Sequence, residues 1–166
     1  MPGKKACVLT IAAATAVALT TANGYVASAT AASGQELHNG LNWNKCLDAQ
    51  TPDGLTLTGA VQVWDCNGGP QQDWFDNSDG TKFNGLNRSK CLDAQTLDGR
   101  TLTGAVQVWD CNGGPQQRWF FTPDHRIHNG LNWNKCLDAQ TLDGVTLTGV
   151  VQVWNCNNGP QQRWYR

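Results

Sequence analysis

One unit recurs three times in this chain at a fixed spacing, with no insertion in any copy. Cys46-Leu47-Asp48-Ala49-Gln50 is followed by Val61-Gln62-Val63-Trp64-Asp65-Cys66 and then by Gln71-Gln72-Asp73-Trp74; the blocks restart at Cys91 and at Cys136, an offset of 45 residues each time. A period in this range marks a repeat architecture, in which each unit buries its apolar face against its neighbours. Three separate domains of 45 residues would each be marginally stable. The joins at Asp76–Gly80 and Thr122–Asp124 are short and turn-like rather than linkers. The spacing therefore predicts one body of three fused copies, residues 35–79, 80–124 and 125–166.

Within a copy the signals are those of short strands. Leu47-Asp48-Ala49 and Val61-Gln62-Val63-Trp64 alternate, Gly and Asn clusters bound each run, and no apolar face recurs at helical spacing. Each copy offers about four strands: one at its start, one at Cys-Leu-Asp-Ala, one at Val-Gln-Val-Trp and one at its closing Trp. The expected fold is all-β, about twelve strands with threefold pseudosymmetry, closed so that no edge stays open.

Residues 1–29 have the pattern of a secretory signal peptide: Lys4 and Lys5, an Ala-rich apolar run from Ala6 to Thr21, and small residues at Ala27-Ser28-Ala29. Thr10, Thr15, Thr20 and Thr21 interrupt the run of roughly 20 apolar residues that a membrane span needs. Residues 30–34 are expected to form a flexible stub, and 35–166 the domain. Export would remove Cys7 and leave six cysteines, spaced 20 apart within each copy. In an oxidising compartment an even count implies disulfides, and the equivalence of the copies predicts Cys46–Cys66, Cys91–Cys111 and Cys136–Cys156. A metal site is not expected, because there is no CxxC pair and the histidines are not placed beside the cysteines. No cofactor is expected either. Without Lys4 and Lys5, ten basic side chains face thirteen acidic ones, a net charge of −3, which disfavours nucleic acid as a partner.

If Cys46 stands directly opposite Cys66 on an antiparallel neighbour, Asp48 falls opposite Trp64 and Gln62 shares their face. Leu47, Ala49, Val61 and Val63 then point into the core. Each copy would present a carboxylate beside an indole, both outward, with an amide next to them. Such a pair suits a sugar: the indole covers the C–H face, and the carboxylate accepts from hydroxyls.

These residues carry a family resemblance. C-L-D-A, V-Q-V-W-D-C and Q-x-W in three tandem copies resemble the ricin B-type β-trefoil lectins, also known as family 13 carbohydrate-binding modules, over about residues 35–166. The resemblance implies a barrel capped by three hairpins, with one sugar site per repeat. Asp48, Asp93 and Asp138 would accept from sugar hydroxyls, and Trp64, Trp109 and Trp154 would stack on the ring. Gln62, Gln107 and Gln152 would line the site. Gln72, Gln117 and Gln162 would support the aspartates, and Trp74, Trp119 and Trp164 would sit in the core. Gln71, Gln116 and Gln161 stand where the family often has asparagine, a longer amide at the third polar contact.

The expected function is that of a secreted, multivalent, non-enzymatic lectin for galactose-type ligands. The alternatives are a module for xylan or another plant polysaccharide, a trefoil protease inhibitor or protein-binding factor, and a fragment of an enzyme. A glycosidase needs two carboxylates at a set separation, and three equal copies of one pattern do not provide that. Asp53, Asp98 and Asp143 precede glycine and are expected in turns. Trp43 and Trp133 correspond to Arg88, an exposed position; Trp43 either extends the first stacking surface for a second sugar unit or lies flat on its own repeat.

Overall fold

The computed structural model describes residues 34–166. The expected leader, its cleavage site, Cys7 and most of the stub lie outside the described residues. Four strands form in each copy: β1 (His38–Asn39), β2 (Lys45–Ala49), β3 (Val61–Asp65) and β4 (Trp74–Asp76); β5 (Lys82–Asn84), β6 (Lys90–Thr96), β7 (Leu102–Asp110) and β8 (Trp119–Phe121); β9 (Ile127–Asn129), β10 (Lys135–Thr141), β11 (Leu147–Asn155) and β12 (Trp164–Tyr165). The fold is an all-β trefoil.

Every strand pairing between copies is antiparallel among the described residues. The last strand of one copy pairs with the first of the next, β4 with β5 and β8 with β9, and β12 returns to β1 through His38↔Tyr165 and Asn39↔Trp164. Strand β11 also pairs with β3 and β7, and Ala60 bridges to Gln107 beside β3 and β7. The ring of pairings is therefore closed, which protects strand edges from foreign pairing.

The inward set is as expected: Leu47, Ala49, Val61 and Val63 are buried, as are their equivalents in the other copies. Trp74, Trp119 and Trp164 fill the centre, and each donates its indole N–H at 3.0 Å to a strand carbonyl, of Leu47, Leu92 and Leu137 respectively. A buried indole needs such an acceptor.

The register differs from the expectation. Cys46 pairs with Trp64, Leu47 with Val63 and Asp48 with Gln62, so Cys66 lies beyond the end of β3. A disulfide needs only Cα atoms about 4.4–6.8 Å apart, and 5.1 Å is reached here on the diagonal. The amide of Cys66 donates to the Asn44 carbonyl at 3.0 Å, which carries the chain past the sheet.

Copy 1 has the shortest central hairpin. Leu97 and Leu142 donate their amides to the Thr101 and Thr146 carbonyls, both at 3.1 Å. The equivalent Pro52 has no N–H, and β2 stops at Ala49 where β6 and β10 continue through Thr96 and Thr141. Asp53, Asp98 and Asp143 do cap turns. Asp53 accepts from the Leu55 and Thr56 amides at 2.9 and 2.7 Å, and these bonds hold its carboxyl below the usual range.

Candidate functional site

Three open clefts recur, one per copy. Asp48, Gln62, Trp64, Asn67 and Gln71 frame the first, with Gln50 and Thr58 on its far rim. Asp93, Gln107, Trp109, Asn112 and Gln116 frame the second; Asp138, Gln152, Trp154, Asn157 and Gln161 frame the third. The pleat explains the grouping. Asp48 and Gln62 are directly opposed, and Trp64, two residues further along β3, shares the face of Gln62.

The carboxylate and the indole are not both outward. Trp64, Trp109 and Trp154 are 54, 55 and 52% exposed, but Asp48, Asp93 and Asp138 are only 3, 3 and 2% exposed. The aspartate is the floor of each cleft and the indole is its wall. Burying a carboxylate is costly unless hydrogen bonds compensate, and three amides surround this one. Asp48 Oδ1 accepts from Gln62 Nε2 at 3.0 Å; Oδ2 accepts from Gln72 Nε2 at 2.9 Å and from Gln71 Nε2 at 3.4 Å. The bonds from Gln107 and Gln117 to Asp93 are 3.0 and 2.9 Å, and those from Gln152 and Gln162 to Asp138 are 2.9 and 2.8 Å. Gln116 and Gln161 also repeat the 3.4 Å contact. An ionised carboxylate has about four lone-pair sites, so it still has capacity for a ligand hydroxyl.

Gln72 holds the aspartate from behind. Its second amide proton goes to the Asp65 carbonyl at 2.9 Å, and its Oε1 accepts from the Asn67 amide at 2.8 Å. It is fully buried, as are Gln117 and Gln162, so all three brace the carboxylates and do not line the clefts. Gln71, Gln116 and Gln161 do line them. The longer amide fits because it folds back over a glycine: a Cβ at Gly69 would lie 2.3 Å from Gln71 Oε1.

Sequence reasoning passed over Asn67, Asn112 and Asn157. They recur in every copy just after the second cysteine, and that recurrence is the signal that could have found them. Asn67 Oδ1 accepts from the Gly69 amide at 2.9 Å and from Gln71 Nε2 at 3.1 Å, which ties the turn to the cleft wall. Gln50 and Thr58 were also passed over. Thr58 donates to Gln50 Oε1 at 3.0 Å, so the central hairpin supplies a polar rim.

All three expected disulfides form. The expectation that the histidines stand apart from them is corrected. Strand pairing sets His38 against Cys46 and His128 against Cys136, and His38 Nδ1 lies 3.6 Å from Cys46 Sγ and 3.4 Å from Cys66 Sγ.

Trp43 is exposed but does not frame the first cleft. It stacks on His38 at 4.8 Å, leans on Tyr165 at 5.4 Å, and borders a different groove with His125 and Tyr165. Arg88 lies 4.6 Å from the Phe75 ring and 5.8 Å from that of Phe83. A planar guanidinium stacks on aromatic faces, so Trp and Arg fill the same role, bridging the start of a copy to the end of the one before it.

The ricin-type beta-trefoil lectin domain matches residues 33–164. No curated protein matches the chain in sequence. Among solved structures, the C-half of an earthworm R-type lectin in complex with GalNAc is 19% identical with a TM-score of 0.63, over 81% of this chain and 97% of that one. The hemolytic lectin CEL-III is 26% identical with a TM-score of 0.64, over 84% of this chain and 31% of that one. The β-trefoil lectin of the Vibrio vulnificus hemolysin/cytolysin, with N-acetyl-D-lactosamine bound, is 21% identical with a TM-score of 0.62, over 82% and 94%. No helix among the described residues is long and apolar enough to cross a membrane. With a match over well more than half of its length, the chain belongs to the ricin-type β-trefoil lectin family, whose domains are carbohydrate-binding modules rather than catalysts.

Proposed function

We propose that this protein is a secreted lectin with three independent saccharide sites, one per copy, for galactose-type sugars. One observation carries the reading: an exposed indole stands over a buried, amide-braced carboxylate in all three clefts. The leader-like start of the chain supports secretion. GalNAc and N-acetyl-D-lactosamine in the earthworm and Vibrio structures support the ligand class.

The chemistry follows from the arrangement. A galactose ring has an axial hydroxyl, which leaves a broad C–H face for Trp64. Burying about 80 Å² of that contact is worth roughly 2 kcal/mol at about 25 cal/mol/Å². A hydrogen bond to charged Asp48 adds roughly 1.5–3 kcal/mol, and association removes much of the sum. A single cleft should bind near millimolar, about −4 kcal/mol. Three clefts acting together on a dense glycan surface should bind about 10²–10⁴ times more tightly than one.

Calorimetric titration with lactose and with a xylo-oligosaccharide tests the reading. Lactose should bind three to one, and Asp48→Ala, Asp93→Ala and Asp138→Ala should each remove one site and leave the fold intact. Binding of the xylo-oligosaccharide alone would transfer these clefts to a plant-polysaccharide module. Loss of all binding on one substitution would overturn their independence.

A further inference from the structure

Two of the three disulfides have an imidazole against their sulfurs. His38 Nδ1 lies 3.6 and 3.4 Å from the sulfurs of Cys46 and Cys66, and His128 Nδ1 lies 3.7 Å from Cys156 Sγ. In each of these copies the three ligand atoms lie within 4.8 Å of one another. Tetrahedral zinc with Zn–S of about 2.3 Å and Zn–N of about 2.0–2.1 Å requires S···N separations of about 3.6 Å. The nitrogen stands at about that separation from the sulfurs, which must part on reduction to admit the ion. The Trp43 carbonyl oxygen accepts from His38 Nδ1 at 2.9 Å, a hydrogen bond that a metal on Nδ1 would replace as the proton moves to Nε2, and lies 3.8 Å from Cys66 Sγ. The Trp133 oxygen repeats this at 2.7 and 4.0 Å. Copy 2 has no such nitrogen, because Phe83 pairs with Cys91 where the others have histidine.

We propose that the reduced chain holds two zinc-class sites, His38–Cys46–Cys66 and His128–Cys136–Cys156, and that copy 2 holds none. In the oxidised chain the sulfurs are bonded to each other and no site exists. A small thiol, RSH, opens it: the Sγ–Sγ bond breaks, two RSH become RSSR, and their two electrons and two protons pass to the cysteine sulfurs. Zinc then displaces both thiol protons to solvent and takes two thiolates and one neutral imidazole. Two thiolates cancel the charge of the ion, which suits a position where Cys46 and Cys136 are fully buried. Thiolate and imidazole donors also favour zinc over harder cations.

The two sites differ behind the imidazole. A metal on Nδ1 leaves the proton on Nε2, which needs an acceptor. His38 Nε2 is 3.8 Å from Glu36 Oε2, within easy reach of a carboxylate–histidine–metal relay. His128 Nε2 is buried and has no partner among the described residues. Loss of such an acceptor typically costs about 10–100-fold in metal affinity. The copy 1 site should therefore be the tighter by that factor.

The test uses the full chain carrying Cys7→Ser, reduced by a phosphine without air and titrated with cobalt(II) and then zinc(II). Two equivalents of cobalt should bind with thiolate-to-metal charge-transfer absorption, and the oxidised chain should show none. His38→Phe should leave one weak equivalent, and His38→Phe with His128→Phe none. Phe83→His should raise the count to three, and Glu36→Gln should bring the two affinities together. Three equivalents in the unsubstituted reduced chain, or two surviving loss of both histidines, would overturn the proposal by assigning binding to the cysteine pairs alone. Zero equivalents would also overturn it. If reduction unfolds the chain, tryptophan fluorescence replaces absorption as the readout. Refolding by two equivalents of zinc, lost in the double histidine variant, supports the sites; a chain that stays unfolded with zinc does not have them.

Discussion

The three clefts are near copies of one another, whereas two positions at the closure of the copies differ in all three. Residues 76, 121 and 166 are equivalent, yet they are Asp, Phe and Arg; residues 37, 82 and 127 are Leu, Lys and Ile. The difference follows from who meets whom. Each cleft is built within one copy: Asp48 is held by Gln62 and Gln72, and Asp93 and Asp138 by their own equivalents. Identical copies can therefore carry identical clefts. At the closure the equivalents meet one another. Arg166 pairs with Asp76 and stacks 4.3 Å from the Phe121 ring. Lys82 donates to Asp76 and lies 4.9 Å from the same ring. Three copies of either charge at that point would repel, so a charged closure requires unlike residues from the different copies.

The largest effect that separates these regions concerns two tryptophans of copy 2. Trp119 is 1% exposed and Trp109 is 55% exposed. Trp119→Ala should lower stability by about 3–5 kcal/mol, because it opens a cavity and leaves the Leu92 carbonyl without its donor. Trp109→Ala should change stability by no more than about 0.5 kcal/mol and should remove lactose binding at the middle cleft. Thermal unfolding and calorimetry on the pair measure both.

A smaller effect is expected at the closure. Lys82 is 2% exposed in the place of Leu37 and Ile127. Burial pushes its ammonium pKa down, against the pull of Asp76. The folded chain therefore releases this proton at a lower pH than the unfolded chain. Between those two pKa values the unfolded state holds more protons, so stability rises with pH. Lys82→Leu should abolish that rise in denaturation curves approaching about pH 10. At neutral pH it should stabilise the protein by about 1 kcal/mol, because Asp76 retains Arg166 as its partner. A large loss of stability would show that the lysine is required for closure.

The smallest effect tests the bridging position between copies. Arg88→Trp should leave saccharide affinity at the middle cleft within about twofold, since the equivalent Trp43 stacks on His38 and stands outside the first cleft. Tighter binding of an oligosaccharide at that cleft would return this position to the ligand surface.

Much of this protein was legible in the chain itself. The 45-residue period, the three within-copy disulfides and the inward set Leu47, Ala49, Val61 and Val63 are properties of spacing and alternation. Each is a local regularity repeated three times, and repetition makes it readable. The aspartate and the outward tryptophan could be named for the same reason, whereas the glutamine behind the aspartate was implied by the family resemblance. Other features were settled only when strands met. The register shifted because a disulfide tolerates a diagonal, so Asp48 faces Gln62 rather than Trp64. Asp48 became a buried floor because Gln62, Gln71 and Gln72 converge on it from across the sheet and from the turn after β3. His38, eight residues before Cys46, came to lie on the Cys46–Cys66 disulfide through the pairing of β1 with β2. Lys82 could be buried because Asp76 and Phe121 come from the ends of two different copies. Composition and alternation determine which face a residue occupies; only packing decides what stands opposite it, because those partners are brought together by the closure of the ring and not by neighbourhood in the chain.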